Sequence, residues 1–323
     1  MNERRNDLLR TMRARYYSDN VVSDKMTSSH WAEQHTRATV SETNGEFVLS
    51  GDGFGYTPLL PLKGRLFSWL TIALYLMKLS GRIAVMKNMR RAMLVAKKMG
   101  HPFTYDCFRA LCTYTFYIQG NAYSRIAIIG DGWGYLSGLI HEFCPDTSVF
   151  LIDLGKTLTF QVATLSKAFP SAPLHLVEDG PARIAEPCWK GFVFCPAEKV
   201  WQLKMVEFDL FINIASMQEM AFAIISEYFD FIRSTLKARG LFYCCNRQEK
   251  TLPCGEILKI DEYPWKDNDT VRVSEVCPWY TFFLNSYAAA RGLTLMGRRV
   301  PYVNYFDGPI LHRLVEMERV HHP

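Results

Sequence analysis

Apolar runs alternate with helix-length segments from Ser124 to the end of the chain. This alternation predicts the buried strands of a mostly parallel sheet with helices on both faces. The predicted strands are RIAIIG (125–130), SVFLIDL (148–154), GFVFCPA (191–197), FDLFINIA (208–215) and LFYCCNR (241–247). LHLVED (174–179) competes with GFVFCPA for the third strand, while LTLMGRRV (293–300) and PILHRLVEM (309–317) predict a closing antiparallel pair.

Three helices are predicted between these strands, at 135–144, 156–169 and 216–240, the last with Gly240 as its C-terminal cap. Residues 1–118 have a helical pattern instead, interrupted by a loop-like stretch rich in Gly, Asp and Asn at 41–58. The chain is therefore divided into an N-terminal helical cap or substrate region (1–118) and a doubly wound α/β core (119–323).

Positive charge is concentrated in the helical region. No acidic residue occurs between Asp52 and Asp106, whereas nine Lys and Arg residues lie between Lys63 and Lys98. Three interpretations are open: a solvated helix face, attraction to an anionic substrate, or attraction to an anionic membrane surface. No nucleic-acid recognition motif accompanies the charge, so a nucleic-acid partner is not expected.

The overall composition is typical of a soluble globular protein, with 323 residues, 49% hydrophobic and 21% charged. No signal peptide is recognisable at the N-terminus, and the nine cysteines show no metal-knuckle spacing. LFSWLTIALYLMKLSG, from Leu66, is interrupted by Lys78 and is too short to span a bilayer. These features predict a cytoplasmic protein with reduced thiols and no transmembrane segment; a homo-oligomer is left open.

Three glycines follow the first predicted strand in IAIIGDGWGYLS, at Gly130, Gly132 and Gly134. Glycines at such a turn let a ligand approach the backbone, because no Cβ stands in the way. A dinucleotide fold wants a glycine where Tyr135 stands, which argues against a nicotinamide-linked dehydrogenase. Asp153 ends the second strand, where a carboxylate can accept hydrogen bonds from both hydroxyls of a ribose, or can cap a helix.

The G-x-G-x-G spacing together with Asp153 resembles class I S-adenosylmethionine-dependent methyltransferases. FDLFINIASMQEM, FYCCNRQEK, EYPW and the His30–Trp31 pair are similar to the bacterial putative sugar O-methyltransferases. The resemblance implies a Rossmann-like, mostly parallel seven-stranded sheet and S-adenosyl-L-methionine as cofactor. It implies that the cofactor contacts Gly130, Asp131, Gly132, Trp133, Gly134, Asp153, Leu154 and Asn213. One departure is Ile128, where the family carries an acidic residue; Asp131 either supplies that charge or caps the turn.

The resemblance also implies an acceptor hydroxyl on a sugar or glycoconjugate, free or carried by an anionic group. Such a hydroxyl is weakly acidic, so a base has to take its proton. Glu219 is the first candidate for the base and His30 the second; the alternatives are a helix-start carboxylate and a structural histidine. The candidate substrate residues are Asn246, Arg247, Tyr263 and Trp265.

Several alternatives stay open from the sequence. Asp267 and Asp269 are either solvated or a weak divalent-metal site, so the metal is left undecided. The adenine is expected near 195–197 or beside Glu178 and Asp179. The acceptor could instead be another N, O or C nucleophile of a small molecule, and a catalytically degenerate binding protein of the same fold is a further alternative.

Overall fold

The computed structural model describes residues 2–17, 39–43, 46–50, 60–177, 190–285, 292–295 and 298–320. Its α-helices are α1 (Asn2–Tyr16), α2 (Leu62–Lys78), α3 (Arg82–Lys98), α4 (Tyr105–Thr113), α5 (Tyr135–Phe143), α6 (Gly155–Ala168) and α7 (Phe222–Thr235). Its strands are β1 (Thr39–Thr43), β2 (Glu46–Ser50), β3 (Arg125–Ile129), β4 (Ser148–Asp153), β5 (Leu174–Leu176), β6 (Gly191–Pro196), β7 (Phe208–Ile214), β8 (Leu236–Arg247), β9 (Glu249–Thr251), β10 (Ile257–Lys259), β11 (Thr270–Val276), β12 (Phe282–Leu284), β13 (Gly292–Leu295), β14 (Arg298–Tyr305) and β15 (Ile310–Glu316).

The central sheet has eight strands in the order β11-β15-β8-β7-β3-β4-β6-β5. Every pairing from β8 to β5 is parallel, and β15 runs antiparallel to both of its neighbours. The predicted mostly parallel α/β sheet is confirmed. Both candidates for the third strand are strands, because β5 pairs with β6 and adds an eighth member at the sheet edge.

Side chains alternate between two apolar cores along each central strand, as the period of a strand requires. Ile126 and Ile128 of β3 face a core shared with α1 to α6, whereas Ala127 and Ile129 face a second core shared with α7. The helices before β3 therefore pack on one face of the sheet and α7 packs on the other. The division of the chain at residue 118 remains a prediction.

Three element predictions are wrong. Residues 39–50 contain the hairpin β1–β2 and not only a loop. The helix predicted to Gly240 ends at Thr235, because the buried Leu236 already pairs with Phe208; Gly240 lies inside β8. The predicted closing pair does not form, because β13 joins β12 and β14 in a separate sheet while β15 inserts between β8 and β11.

A buried ion pair fastens α7 to the loop before β11. Arg233 donates to both carboxylate oxygens of Asp269, at 2.7 and 2.6 Å, and to Pro264 O at 3.1 Å. The two side chains are only 3% and 2% exposed. Both interpretations of Asp269 are therefore wrong: its carboxylate is buried and not solvated, and it is engaged by Arg233 and not by a metal.

Two features are absent from the described residues. None of their helices combines the length and apolar character needed to cross a bilayer. Within the same residues, no cluster of three or more His, Cys, Asp or Glu side chains could hold a metal ion.

Candidate active site

A cavity of about 400 Å³ opens at the carboxyl edge of β3, β4, β7 and β8. This is the edge where open α/β sheets bind ligands, and the volume lies in the range of small-molecule sites. The predicted site residues that line it are Gly130, Asp131, Gly132, Trp133, Asp153, Leu154 and Glu219. These residues come from the three segments that follow β3, β4 and β7, and the fold places them around one cavity.

The glycine loop after β3 is held in a conformation that favours glycine. Gly130, Gly132 and Gly134 have φ angles of 77°, 60° and 87°. A Cβ at position 130 would lie 2.1 Å from Ser216 Oγ, so the segment after β7 approaches the loop too closely for any side chain there. Gly134 precedes α5 and does not line the cavity, although it fixes the turn. At Gly130 and Gly132 the cavity wall therefore consists of bare backbone.

Asp131 caps the turn that leads into α5. Its Oδ2 accepts hydrogen bonds from Ser137 N at 2.9 Å and from Ser137 Oγ at 2.5 Å. Burial raises the pKa of Asp131 to about 6, although the bonds from Ser137 act in the opposite direction. The capping interpretation is thereby shown, and the same carboxyl group also lines the cavity.

Asp153 stands at the tip of β4 on the cavity wall. Its Oδ1 accepts from Leu154 N at 2.8 Å and its Oδ2 from Gln161 Nε2 at 2.8 Å, while Gln161 also donates to Gly132 O at 3.0 Å. Burial raises the pKa of Asp153 to about 7, and the charge of Asp131 adds to the increase. The N-cap of α6 is Leu154, so the helix-cap interpretation of Asp153 is wrong.

Trp133 and Leu154 supply apolar parts of the wall. The Trp133 ring packs between His101 and Tyr135, with centroid distances of 4.4 and 5.0 Å. Its backbone oxygen accepts a hydrogen bond from Thr164 Oγ1 at 2.8 Å, which ties the glycine loop to α6. Trp133 therefore also fills the space beneath the loop.

Glu219 reaches the cavity from a short 3₁₀ turn, Met217–Glu219, that follows β7. Its Oε1 lies 3.3 Å from Lys250 Nζ of β9. The turn precedes α7, so Glu219 is not in the first turn of that helix. Lys250 therefore helps to fix the Glu219 carboxylate at the cavity wall.

Asn213 and Asn246 are fully buried and do not line the cavity. Asn246 Nδ2 donates to Asn213 Oδ1 at 2.9 Å, and Asn213 Nδ2 donates to Ile129 O at 2.9 Å. Their oxygens accept from the backbone N–H groups of Met217 and Gln218, at 3.2 and 3.1 Å. The structure thus gives neither of them the ligand contact predicted; they position the turn that carries Glu219.

The other predicted substrate residues also lie away from this cavity. Arg247 pairs with Asp307 at 3.2 Å. Tyr263 is buried in the core on the α7 face, and Trp265 packs against that core with Nε1 donating to Ile260 O at 2.7 Å. Both rings pack against Phe229 of α7 and neither lines the cavity, so the structure does not support their predicted stacking on a sugar there.

Some candidates fall elsewhere. His30, Glu178 and Asp179 lie outside the described residues, so their predicted roles stay predictions. From the segment 195–197, Ala197 lines the cavity.

Four residues that were not predicted reach the cavity from α4 and from the chain before β12. These are Asp106, Arg109, Trp279 and Tyr280. An arginine within the apolar pattern YDCFRALC was the available indication, because a charged residue among buried positions needs a partner. The non-glycine residue Ala215 was also missed; it has a φ of 58° and lines the cavity directly after β7.

The comparisons with known proteins give matches in structure alone. No protein-family model matches the chain, and no curated protein matches it in sequence. Precorrin-6y C5,15-methyltransferase from Geobacter metallireducens is similar over 65% of this chain and 88% of its own, with 13% identity and a TM-score of 0.35. TrmN from Thermus thermophilus is similar over 70% of this chain and 52% of its own, with 12% identity and a TM-score of 0.38.

The cyclopropane synthase MmaA2 from Mycobacterium tuberculosis matches over 38% of this chain, with 16% identity and a TM-score of 0.28. The match spans only 36% of the length of that synthase. The arrangement of the sheet itself is the stronger finding: parallel strands ordered β6-β4-β3-β7-β8, followed by the reversed strand β15 and by β11. This is a doubly wound, Rossmann-like arrangement of a mostly parallel sheet with helices on both faces.

Proposed function

We propose that this protein is an S-adenosylmethionine-dependent methyltransferase that methylates a hydroxyl group of a sugar or glycoconjugate. The observation that carries the proposal is the position of Asp153, whose carboxyl group faces the same cavity as the bare backbone of Gly130 and Gly132. A carboxylate at the tip of the second strand beside a glycine loop is suited to a nucleoside.

The residues of the cavity fit the cofactor. Asp153 would accept hydrogen bonds from the ribose, and the glycine loop would face the methionine portion. Leu154, Ile152 and Ala197 would supply apolar contacts to the base. Bound there, S-adenosylmethionine supplies a methyl group on a positively charged sulfur, which is an excellent leaving group.

The protein has two tasks in such a reaction. It aligns the acceptor oxygen, and it removes the proton that this oxygen loses. We assign removal of the proton to Glu219, because its carboxylate lines the cavity. Lys250 fixes its position, as does the turn that is hydrogen-bonded to Asn213 and Asn246.

Replacement of Glu219 by glutamine is expected to lower kcat about 100-fold, because the amide cannot accept the proton. Binding of S-adenosylhomocysteine should stay within about twofold, since a remote contact contributes little to it. Initial rates of methyl transfer, with calorimetry on the same samples, measure both. Glu249→Gln is the matched control, because Glu249 is exposed on β9 and does not line the cavity. Unchanged kcat in Glu219→Gln would remove Glu219 from the mechanism.

Cofactor affinity should depend on pH through Asp153. Burial raises the pKa of this carboxyl group to about 7. The ionised carboxylate is the better acceptor for two hydroxyls, so the dissociation constant of S-adenosylhomocysteine should be about tenfold larger at pH 6 than at pH 8. Calorimetry across this range measures the effect. Asp153→Asn has no proton to lose and should bind weakly at every pH; an identical pH dependence in this variant would assign the titration to another group.

The overall proposal is tested by calorimetry with S-adenosylmethionine and S-adenosylhomocysteine, followed by transfer of a labelled methyl group to free and nucleotide-linked sugars. Binding followed by an O-methylated product supports it. Absence of binding at about millimolar concentration, which corresponds to only about 4 kcal/mol, would overturn it. N- or C-methylated products would keep the activity and replace the acceptor.

One observation favours a second candidate, a binding protein of the same fold without catalysis. Ile128 is buried and lines the cavity where the resembling family carries an acidic residue. Cofactor binding without turnover on any acceptor would favour this candidate.

A further inference from the structure

Arg109 of α4 lines the same cavity as the glycine loop and Glu219, although its side chain comes from the helical region. The side chain is only 17% exposed. Among the described residues that line the cavity, Arg109 is the one cationic side chain; the acidic ones are Asp106, Asp131, Asp153 and Glu219. A buried cation at a ligand site is costly unless it has a partner, so its hydrogen bonds are informative.

The guanidinium group of Arg109 is only partly paired. Its Nη2 forms an ion pair with Asp106, whose side chain is half exposed. Its Nε and Nη1 are both buried and have no hydrogen-bond partner among the residues that the structure describes. A buried N–H group without a hydrogen-bond partner is costly, most of all in a charged side chain, and native proteins rarely contain one.

Aromatic rings hold the guanidinium group in place. Its central carbon lies 3.7 Å from the centre of the Tyr280 ring and 5.2 Å from that of Tyr105. Tyr105 is itself fixed, because its hydroxyl donates to Trp279 O at 2.8 Å. Stacking on the flat face of arginine leaves the N–H groups at its edges available for a ligand. The group is therefore positioned before any ligand arrives.

We propose that Arg109 forms an oxyanion-binding subsite at the acceptor end of the cavity, which holds a phosphate or carboxylate group of the methyl acceptor. Arginine suits this ligand, since its planar fork matches the geometry of both groups. That the ligand is the methyl acceptor rests on the proposed function; the oxyanion site itself does not depend on it.

The acidic lining residues limit where the oxyanion can bind. Asp153 and Asp131 belong to the glycine-loop and β4 side, and burial raises the pKa of each. Asp106 competes directly, because it already engages one nitrogen of Arg109. Its half-exposed carboxylate is screened by water, so it neutralises the buried cation only in part. Removal of this carboxylate should therefore strengthen binding of an added oxyanion.

The test uses the full chain without cofactor and two probes, inorganic phosphate and acetate, in calorimetric titrations. The wild-type protein should bind one of them with a dissociation constant of about 1–10 mM, a range typical of a small ion at one site. Arg109→Met should weaken this binding at least tenfold, about 1.4 kcal/mol. Asp106→Asn should strengthen it several-fold, which a merely structural role of Arg109 does not predict. Tighter binding of phosphate than of acetate indicates that the acceptor carries a phosphate group. Tighter binding of acetate indicates that it carries a carboxylate.

Arg272→Met is the control, because Arg272 of β11 pairs with Glu316 outside the cavity; it should bind both probes as the wild type does. Arg109→Lys, which keeps the charge without the fork, replaces the methionine variant if that one does not fold, and should bind several-fold more weakly. Equal probe binding in wild type and variants, or no binding in the wild type, overturns the subsite.

S-adenosylhomocysteine binding to the same samples separates the two proposals. Arg109→Met should retain it within about twofold, because Arg109 is not among the residues expected to contact the cofactor. Wild-type protein that binds S-adenosylhomocysteine but neither phosphate nor acetate overturns only the subsite. Wild-type protein that binds phosphate but not S-adenosylhomocysteine overturns the proposed function and leaves the oxyanion site standing.

Discussion

Asp153→Ala is expected to weaken binding of S-adenosylhomocysteine about 1,000-fold, because each hydrogen bond to a charged acceptor contributes about 1.5–3 kcal/mol and two are lost. The structure supports this size of effect, since Asp153 lines the cavity and its orientation is fixed by Leu154 N and Gln161 Nε2 at 2.8 Å each. Isothermal titration calorimetry at pH 8, where the carboxyl group is ionised, measures the change.

Two controls make that result interpretable. Asp146→Ala removes a carboxylate that pairs with Lys190 on the surface, and it should leave the affinity unchanged. Asp153→Asn preserves the shape of the side chain and should lose most of the affinity, with a melting temperature close to that of the wild type. A loss of less than about fivefold in Asp153→Ala, about 1 kcal/mol, would show that this carboxyl group does not hold the ribose.

The second large effect concerns stability. Asp269→Ala is expected to lower the free energy of unfolding by about 3–5 kcal/mol, because it leaves the buried Arg233 without its counter-charge. Equilibrium unfolding in urea, followed by fluorescence and circular dichroism, measures the change. Burial alone would raise the pKa of Asp269, but the bonds from Arg233 outweigh it and lower this pKa. The difference between wild type and variant should therefore shrink as the pH falls below about 4.

The matched control is the exposed pair of Lys259 and Glu262, whose atoms lie 3.0 Å apart. Glu262→Ala should change the free energy of unfolding by less than about 1 kcal/mol, as expected for a solvated pair. If Asp269→Ala costs no more than Glu262→Ala, the pair does not fasten α7 to the chain before β11.

The parallel strands were predictable because strands buried on both faces carry nearly continuous apolar runs, as in β3, β4 and β6. The hairpin β1–β2 and the start of β8 were harder to predict. The sequence places Asn44–Gly45 between β1 and β2, a dipeptide typical of two-residue hairpin turns, yet the surrounding polar residues masked this pattern. The early start of β8 depends on the pairing of Leu236 with Phe208, which no local pattern contains.

The position of a site residue was predictable where it depends on the path of the backbone. It was not predictable where it depends on the direction in which a side chain points. The glycine loop and Asp153 follow from the ends of β3 and β4, and both reach the cavity. Asn213 and Asn246 also stand at strand ends, but their side chains bond to each other inside the protein. Arg109 belongs to a helix distant in sequence, and tertiary packing alone brings it to the cavity.

Gly130 has a mechanical consequence. Because Ser216 occupies the space where a side chain of residue 130 would stand, the turn bearing Glu219 rests directly on the glycine loop. Displacement of either segment would be transmitted to the other, so a mutation that moves the glycine loop should also move Glu219, the base of the proposed function. Under the proposed function, changes of acceptor preference should therefore begin at Trp279 and Tyr280, which line the cavity and belong to neither of these two segments.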